Sequence, residues 1–170
     1  MTGPVHAVAL AIAVDPDGPL VGALILGASG AGKSALALSV IEGCPFRRSS
    51  LVVDDAVLVD ATGERLVASA PGRIAGLIEV RGFGPTPVRT VPTIALRFAV
   101  DLSAPVERVA EAHPFSLAGA SPSIPLYPFA WRGAEWTAAH RLRRIAVAIL
   151  GGQNPRCTQD GLPEKTKGDE

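Results

Sequence analysis

Over residues 5–14 the side chains fall into two alternating sets, His6, Val8, Leu10, Ile12 and Val14 against Ala7, Ala9, Ala11 and Ala13. A period of two is that of a β-strand, and the alanine face lets another layer approach closely. Asp15-Pro16-Asp17-Gly18-Pro19 is a dense turn signal, and the apolar run 20–26 follows it. The pattern therefore predicts an antiparallel hairpin with His6 near its open end, beside Leu26. Residues 27–34 are glycine-rich, and Ala35, Leu36, Ala37, Leu38, Val40 and Ile41 favour a helix that Gly43 can end.

Farther along, 50–53 is a short β-branched run closed by Asp54 and Asp55, and 57–59 continues to a turn at Ala61-Thr62-Gly63 with 66–70 returning as its partner. The apolar stretch 74–80 carries Glu79 and runs into a glycine loop at 81–85. Residues 93–102 read as a strand broken by Arg97, and prolines between 113 and 127 exclude a long helix. In 134–150, Trp136, Ala139, Leu142, Ala146 and Ile149 recur at helical spacing, with Arg141, Arg143 and Arg144 mostly elsewhere around the turn.

The chain has 170 residues, 48% apolar and 19% charged, enough for one domain with a buried core. Sixteen basic and 16 acidic side chains cancel, so bulk charge favours neither nucleic acid nor anionic lipid. The apolar run 5–14 is shorter than the roughly 20 residues that span a bilayer. Cys44 and Cys157 lie far apart and the second sits in a polar tail, so a reducing, cytoplasmic setting is expected. That tail, 151–170, has almost nothing to bury and is expected to be disordered, leaving 1–150 as the folded domain.

Gly27-Ala28-Ser29-Gly30-Ala31-Gly32-Lys33-Ser34 fits G-x-x-x-x-G-K-[ST] at every fixed position, between a predicted strand and a predicted helix. In such a loop successive N–H groups wrap a phosphate, with the helix start aimed at the same anion. Lys33 would neutralise the terminal phosphates, and Ser34 would offer its hydroxyl to Mg²⁺. The neighbouring carboxylates Asp54 and Asp55 stand at the C-terminal end of a strand, where ligands of open α/β sheets gather. Alternation would turn them to opposite faces, one serving as a base for a hydroxyl nucleophile and the other as a Mg²⁺ partner; the plainer reading is a solvated turn. Glu79, embedded in an apolar run, is costly unless paired. Either it pairs with Arg81, two residues on and on the same strand face, or it belongs to a metal and phosphate site. His6 by spacing alone is a packing residue or a surface tip.

In order and separation, GASGAGKS at 27–34, VVDD at 52–55, ASAP at 68–71 and LIEVRGFG at 77–84 resemble the catalytic domain of HPr kinase/phosphorylase, over most of residues 5–130. The resemblance implies an α/β fold, a P-loop core of the phosphoenolpyruvate-carboxykinase-like kind, with a mixed sheet, an N-terminal hairpin and a C-terminal helix. It implies the short form that consists of the catalytic domain alone. The implied activity is phosphorylation of a serine of the phosphocarrier protein HPr by ATP, or in some members pyrophosphate, and its reversal by inorganic phosphate, within regulation of a phosphotransferase system. Carried over by motif, Lys33 holds phosphates, Ser34 and Glu79 bind Mg²⁺, Asp55 is the base within the acidic pair with Asp54, Arg81 belongs to the signature 78–87 used in both directions, and His6 is the histidine that precedes the hairpin. A homo-hexamer is implied as well. A basic loop for the protein substrate is implied after Ile124, where this chain reads IPLYPFAWRG with Arg132 its only charge.

Two rivals stay open on the residues. A small-molecule P-loop kinase would need an arginine-bearing lid and a second strand of hydrophobic residues ending in Asp, and the sequence pattern offers neither. A nucleotide-binding regulator without turnover would keep the loop and lose the partner surface. A GTPase is excluded by the lack of an Asn-Lys-x-Asp contact for guanine.

Overall fold

The hairpin forms as the alternation predicts: β2 (Val8–Ile12) runs antiparallel to β3 (Val21–Leu26), with Ile12 opposite Val21 and Val8 opposite Ile25. This computed structural model describes residues 4–72, 76–109, 111–117 and 122–152. The tail at 153–170, Cys157 and Ile74 lie outside the described residues. Arg48 fixes the turn of the hairpin by donating to the carbonyls of Asp15 and Gly18.

The remaining elements are β1 (Val5–His6), α1 (Lys33–Glu42), β4 (Ser50–Val53), β5 (Ala56–Thr62), β6 (Arg65–Ser69), β7 (Leu77–Val80), β8 (Gly84–Pro87), β9 (Thr93–Asp101), β10 (His113–Ser116), β11 (Ser123–Pro128) and α2 (Glu135–Leu150). One mixed sheet has the order β1-β5-β6-β9-β3-β2-β4, with β11 parallel to the end of β9 and β10 antiparallel to β11. The pair β7-β8 stands apart as its own hairpin. Strand β9 runs parallel to β3, with Leu26 opposite Asp101, so both deliver their C-terminal ends to the same edge of the sheet.

The two faces bury two apolar layers. Val8, Leu10, Ile12, Val21, Ile25 and Phe98 pack with Leu36, Val40 and Ile41 of α1 and Leu142 and Ala146 of α2. Ala7, Ala9, Leu24, Val53, Val57, Leu66, Leu96 and Ala99 fill the opposite layer, where the small alanines admit β5 and β6. Leu96 and Phe98 are two apart, yet they belong to different layers. The register explains this: Gly22 faces Leu96 and Ala23 faces Phe98, leaving Arg97 as an extra, exposed bulge residue that reverses the parity of the strand. The break expected at Arg97 is thus a bulge within one continuous strand.

Helix α2 buries Ala138, Leu142 and Ala146, but Trp136, expected on the same stripe, is 84% exposed. The arginines of α2 tie the helix down. Arg143 donates to the Gly43 and Val40 carbonyls at the C-terminus of α1, where a cation also meets the negative end of the helix dipole. Arg141 donates to the Ala130 carbonyl and stacks over Phe129 at 4.7 Å.

Candidate active site

The loop between β3 and α1 is built by three glycines with positive φ, Gly27 at 149°, Gly30 at 75° and Gly32 at 100°. Helix α1 begins on Gly32 with no side-chain cap, so its first N–H groups remain available to an anion, as a phosphate-binding helix start requires. The strap after β9 pins the near arm of the loop. Leu102 N–H donates to the Leu26 carbonyl at 2.9 Å, Ser103 Oγ accepts from Ala28 N–H at 2.8 Å, and Asp101 Oδ1 accepts from Ser103 N–H at 2.8 Å. Lys33 turns back over this loop, its Nζ donating to the carbonyls of Gly27 (2.9 Å) and Ala28 (3.2 Å).

Asp54 and Asp55 do not face opposite ways as strand residues. They follow β4, and Asp55 adopts a left-handed φ of 72°, so a turn rather than a pleat separates the carboxylates. Asp54 is buried, with both oxygens engaged: Oδ1 accepts from the Ser34 hydroxyl at 2.7 Å and Oδ2 from Glu79 N–H at 3.0 Å. The side chain of Asp55 is 75% exposed, and its Oδ1 lies 2.8 Å from His6 Nδ1.

His6 lies at the open end of the first hairpin and completes a chain of contacts, Asp55 to His6 to Lys33. Its Nε2 is 3.0 Å from Lys33 Nζ. An ammonium can only donate, so Nε2 is the acceptor and Nδ1 carries the hydrogen given to Asp55.

The signature segment forms the β7-β8 hairpin. Ile78 anchors it in the core, and Arg81, Gly82 and Phe83 make its exposed tip. Glu79 is exposed and lines the cleft, so the expected cost of a buried carboxylate does not arise. The ion pair with Arg81 is absent too: among the described residues no carboxylate lies within 4.0 Å of the Arg81 guanidinium. Arg81 instead reaches toward the phosphate loop, Nη2 lying 3.7 Å from where a Cβ on Gly30 would stand.

These groups surround one cleft of about 790 Å³, lined by His6, residues 29–35, Asp55, Glu79 and Arg81 on one side and by Trp131, Arg132 and Glu135 on the other. Of the second wall, the resemblance implied only a basic loop after Ile124, not its place against the phosphate loop. Trp131 packs against Gly32, the Nε1 side of its indole occupying the space a Cβ there would need. Arg132 Nη2 lies 3.5 Å from the Gly30 carbonyl. Glu135 accepts from Gly133 N–H at 3.0 Å; its own backbone N–H above all, then that bond and the nearby Arg132, hold its carboxyl below the usual range. The sequence does carry one overlooked signal: Ala99-Val100-Asp101 is the hydrophobic strand ending in Asp that seemed missing, although its carboxylate serves the Ser103 turn and does not line the cleft.

Among the described residues no three His, Cys, Asp or Glu side chains cluster closely enough to hold a metal by themselves. Ser34 Oγ, Asp54 and Glu79 still form a set of hard oxygen donors beside the phosphate loop. That suits Mg²⁺, which takes one or two protein ligands and completes its shell with phosphate and water.

The model of the HPr serine kinase C-terminal domain matches residues 5–97. HPr kinase/phosphorylase of Exiguobacterium sp. is 46% identical over 72 residues, 42% of this chain and 22% of that protein. The Brevibacillus brevis protein of the same name is 40% identical over 95 residues, 50% of this chain and 29% of its own length. The matched stretch thus spans less than a third of either relative. The structure of the HPr(Ser) kinase/phosphatase from Coxiella burnetii superposes with a TM-score of 0.69 at 21% identity, covering 88% of this chain and all of that one, a likeness of fold. The family match runs unbroken through the phosphate loop, the acidic pair and the Glu79 hairpin, over more than half of the sequence, and the chain belongs to the HPr serine kinase C-terminal domain family.

Proposed function

We propose that this chain transfers the terminal phosphoryl group of ATP to a serine hydroxyl of the phosphocarrier protein HPr, and reverses the transfer with inorganic phosphate. The observation that carries this reading is the division of labour within the acidic pair. Asp54 is buried and fully hydrogen-bonded to Ser34 and Glu79, whereas Asp55 is exposed in the cleft with His6 behind it.

Asp55 is the base. It accepts the seryl proton as the serine oxygen bonds to the γ-phosphorus; the bond from that phosphorus to the bridging oxygen breaks, and its electron pair leaves on ADP. His6 Nδ1–H steadies the carboxylate. The N–H groups of residues 27–34 and the Lys33 ammonium hold the phosphates. Ser34, Asp54 and Glu79 are the residues that would hold Mg²⁺, which neutralises phosphate charge when bound. In reverse, an oxygen of inorganic phosphate bonds to the phosphorus of the phosphoserine, giving pyrophosphate, as the bond to the serine oxygen breaks and protonated Asp55 returns its proton to that oxygen; Arg81 stands by the phosphate in both directions. The enzyme acts in the cytoplasm within a phosphotransferase system, with ATP, or pyrophosphate as in some members, as donor and as a homo-hexamer; these features rest on the family resemblance.

Incubation of the chain with γ-labelled ATP, Mg²⁺ and purified HPr tests the reading. Phosphoserine on HPr is expected. Nucleotide binding without transfer would overturn it in favour of a regulator, and label on a small-molecule alcohol alone would favour the small-molecule kinase.

A further inference from the structure

We propose that Arg132 is a catalytic residue that contacts the terminal phosphoryl group and offsets its charge during transfer. The inference deepens the kinase reading and rests on it for the reaction concerned, but it concerns a segment outside residues 5–97, where the family model matches.

Placement is the first argument. Arg132 stands in the tight turn between β11 and α2, and every neighbour in that turn is fastened. Phe129 N–H donates to the Asp101 carbonyl at 2.9 Å, beside the strap that holds the phosphate loop. Arg141 grips the Ala130 carbonyl. Trp131 is seated on Gly32, and Ala134 N–H closes the turn on the Trp131 carbonyl at 3.2 Å. A long side chain on so constrained a turn loses less freedom on engaging a ligand than one on a loose loop.

Charge is the second argument. An arginine facing protein groups normally meets a carboxylate, yet among the described residues none lies within 4.0 Å of Arg132. Glu135, close enough to feel its charge, spends Oε1 on Gly133 N–H. The guanidinium instead touches the Gly30 carbonyl at the middle of the phosphate loop, with Arg81 reaching the same glycine. A single neutral acceptor at 3.5 Å is weak for a group with five donors, and a phosphoryl group offers the bidentate acceptor it lacks. Lys33, Arg81 and Arg132 then surround the loop from three separate elements, with Arg132 supplying in cis the cation that phosphoryl-transfer enzymes place on the transferring group.

The test uses the full chain carrying Arg132→Gln or Arg132→Lys, with melting temperature measured alongside. For Arg132→Gln, ATP should bind at least about ten-fold more weakly while ADP affinity stays within about two-fold, because only ATP carries the terminal phosphate. Transfer to HPr should fall roughly 10²-fold, with Arg132→Lys recovering part of it. Equal affinity loss for ATP and ADP, or no loss with turnover above about a third of the unaltered chain, overturns the proposal. The nucleotide titration needs no HPr, so it decides the matter even if the unaltered chain transfers nothing. If instead Lys33→Ala retains full transfer, the kinase mechanism fails on its own account.

Discussion

The Ser34 hydroxyl donates to Asp54 Oδ1 across 2.7 Å, joining the first turn of α1 to the chain just past β4. The other oxygen of the same carboxylate receives Glu79 N–H, so one buried side chain fixes three elements of the site. Asp54→Asn loses the charged acceptor, and it can keep its oxygen on Glu79 N–H only if the new NH₂ faces Ser34, whose hydroxyl must then reverse and accept. A loss of about 1–3 kcal/mol in stability is expected, with the Mg²⁺ needed for half-maximal transfer raised several-fold. Urea unfolding and a Mg²⁺ titration measure the two effects.

Asp55→Asn should behave differently. Its side chain is exposed and, among the described residues, is bonded to His6 alone, so stability should change little, while transfer and its reversal should both fall about 10²- to 10⁴-fold with ATP binding retained. Forward transfer within ten-fold of the unaltered chain would move the base to another residue.

Glu79→Gln removes charge from the cleft without disturbing the main-chain bond to Asp54, since that bond uses the backbone N–H. Activity at low Mg²⁺ should fall and be largely restored at high Mg²⁺. An unchanged Mg²⁺ dependence would exclude Glu79 from the metal site.

Gly32→Ala should be the most damaging single methyl in the loop. The position has φ of 100°, and a Cβ there would lie 2.2 Å from Trp131 Nε1. The left-handed backbone costs roughly 1–2 kcal/mol and the forced shift of the indole a further 1–3 kcal/mol. Quenching or shift of the tryptophan fluorescence together with a lower Tm would register both; a variant with neither change contradicts the packing.

Alternation, turn signals and the G-x-x-x-x-G-K-[ST] spacing were enough to read both strands of the first hairpin, the phosphate loop and the β5-β6 pair, because each is set by contacts between near neighbours in sequence. The cleft's far wall was not readable. Trp131 and Arg132 lie about a hundred residues from the glycines they touch, in a proline-rich run with no period, and only the parallel pairing of β11 with β9 carries them there. Glu79 shows the opposite failure. A short apolar run suggested burial on both faces, whereas β7 belongs to a two-stranded hairpin that covers Ile78 and leaves Glu79 to solvent.

Burial pushes the Cys44 thiol up, but hydrogen bonds from Ser49 and the backbone around it outweigh this and bring it down from 9.0 to about 7. Between those values the folded thiol has lost a proton that the unfolded thiol keeps, so this group's contribution to stability grows as pH rises from 7 to 9 and vanishes below 7. Against Cys44→Ala, the unaltered chain should gain on the order of 2 kcal/mol between pH 7 and pH 9 in urea unfolding. A constant difference between the two proteins across that range would contradict the lowered thiol.

Lys33 spends all three of its N–H bonds inside the protein, on Gly27, Ala28 and His6. Any anion must therefore take the ammonium from partners it already has. Chloride or acetate would displace several bonds to form one, whereas a nucleotide's phosphate chain returns several acceptors at once and also engages the loop N–H groups. The loop is thus a competitive filter: a small anion gains less from it than a nucleotide does, and saturating it with ATP should depend less on added chloride than an exposed lysine would allow.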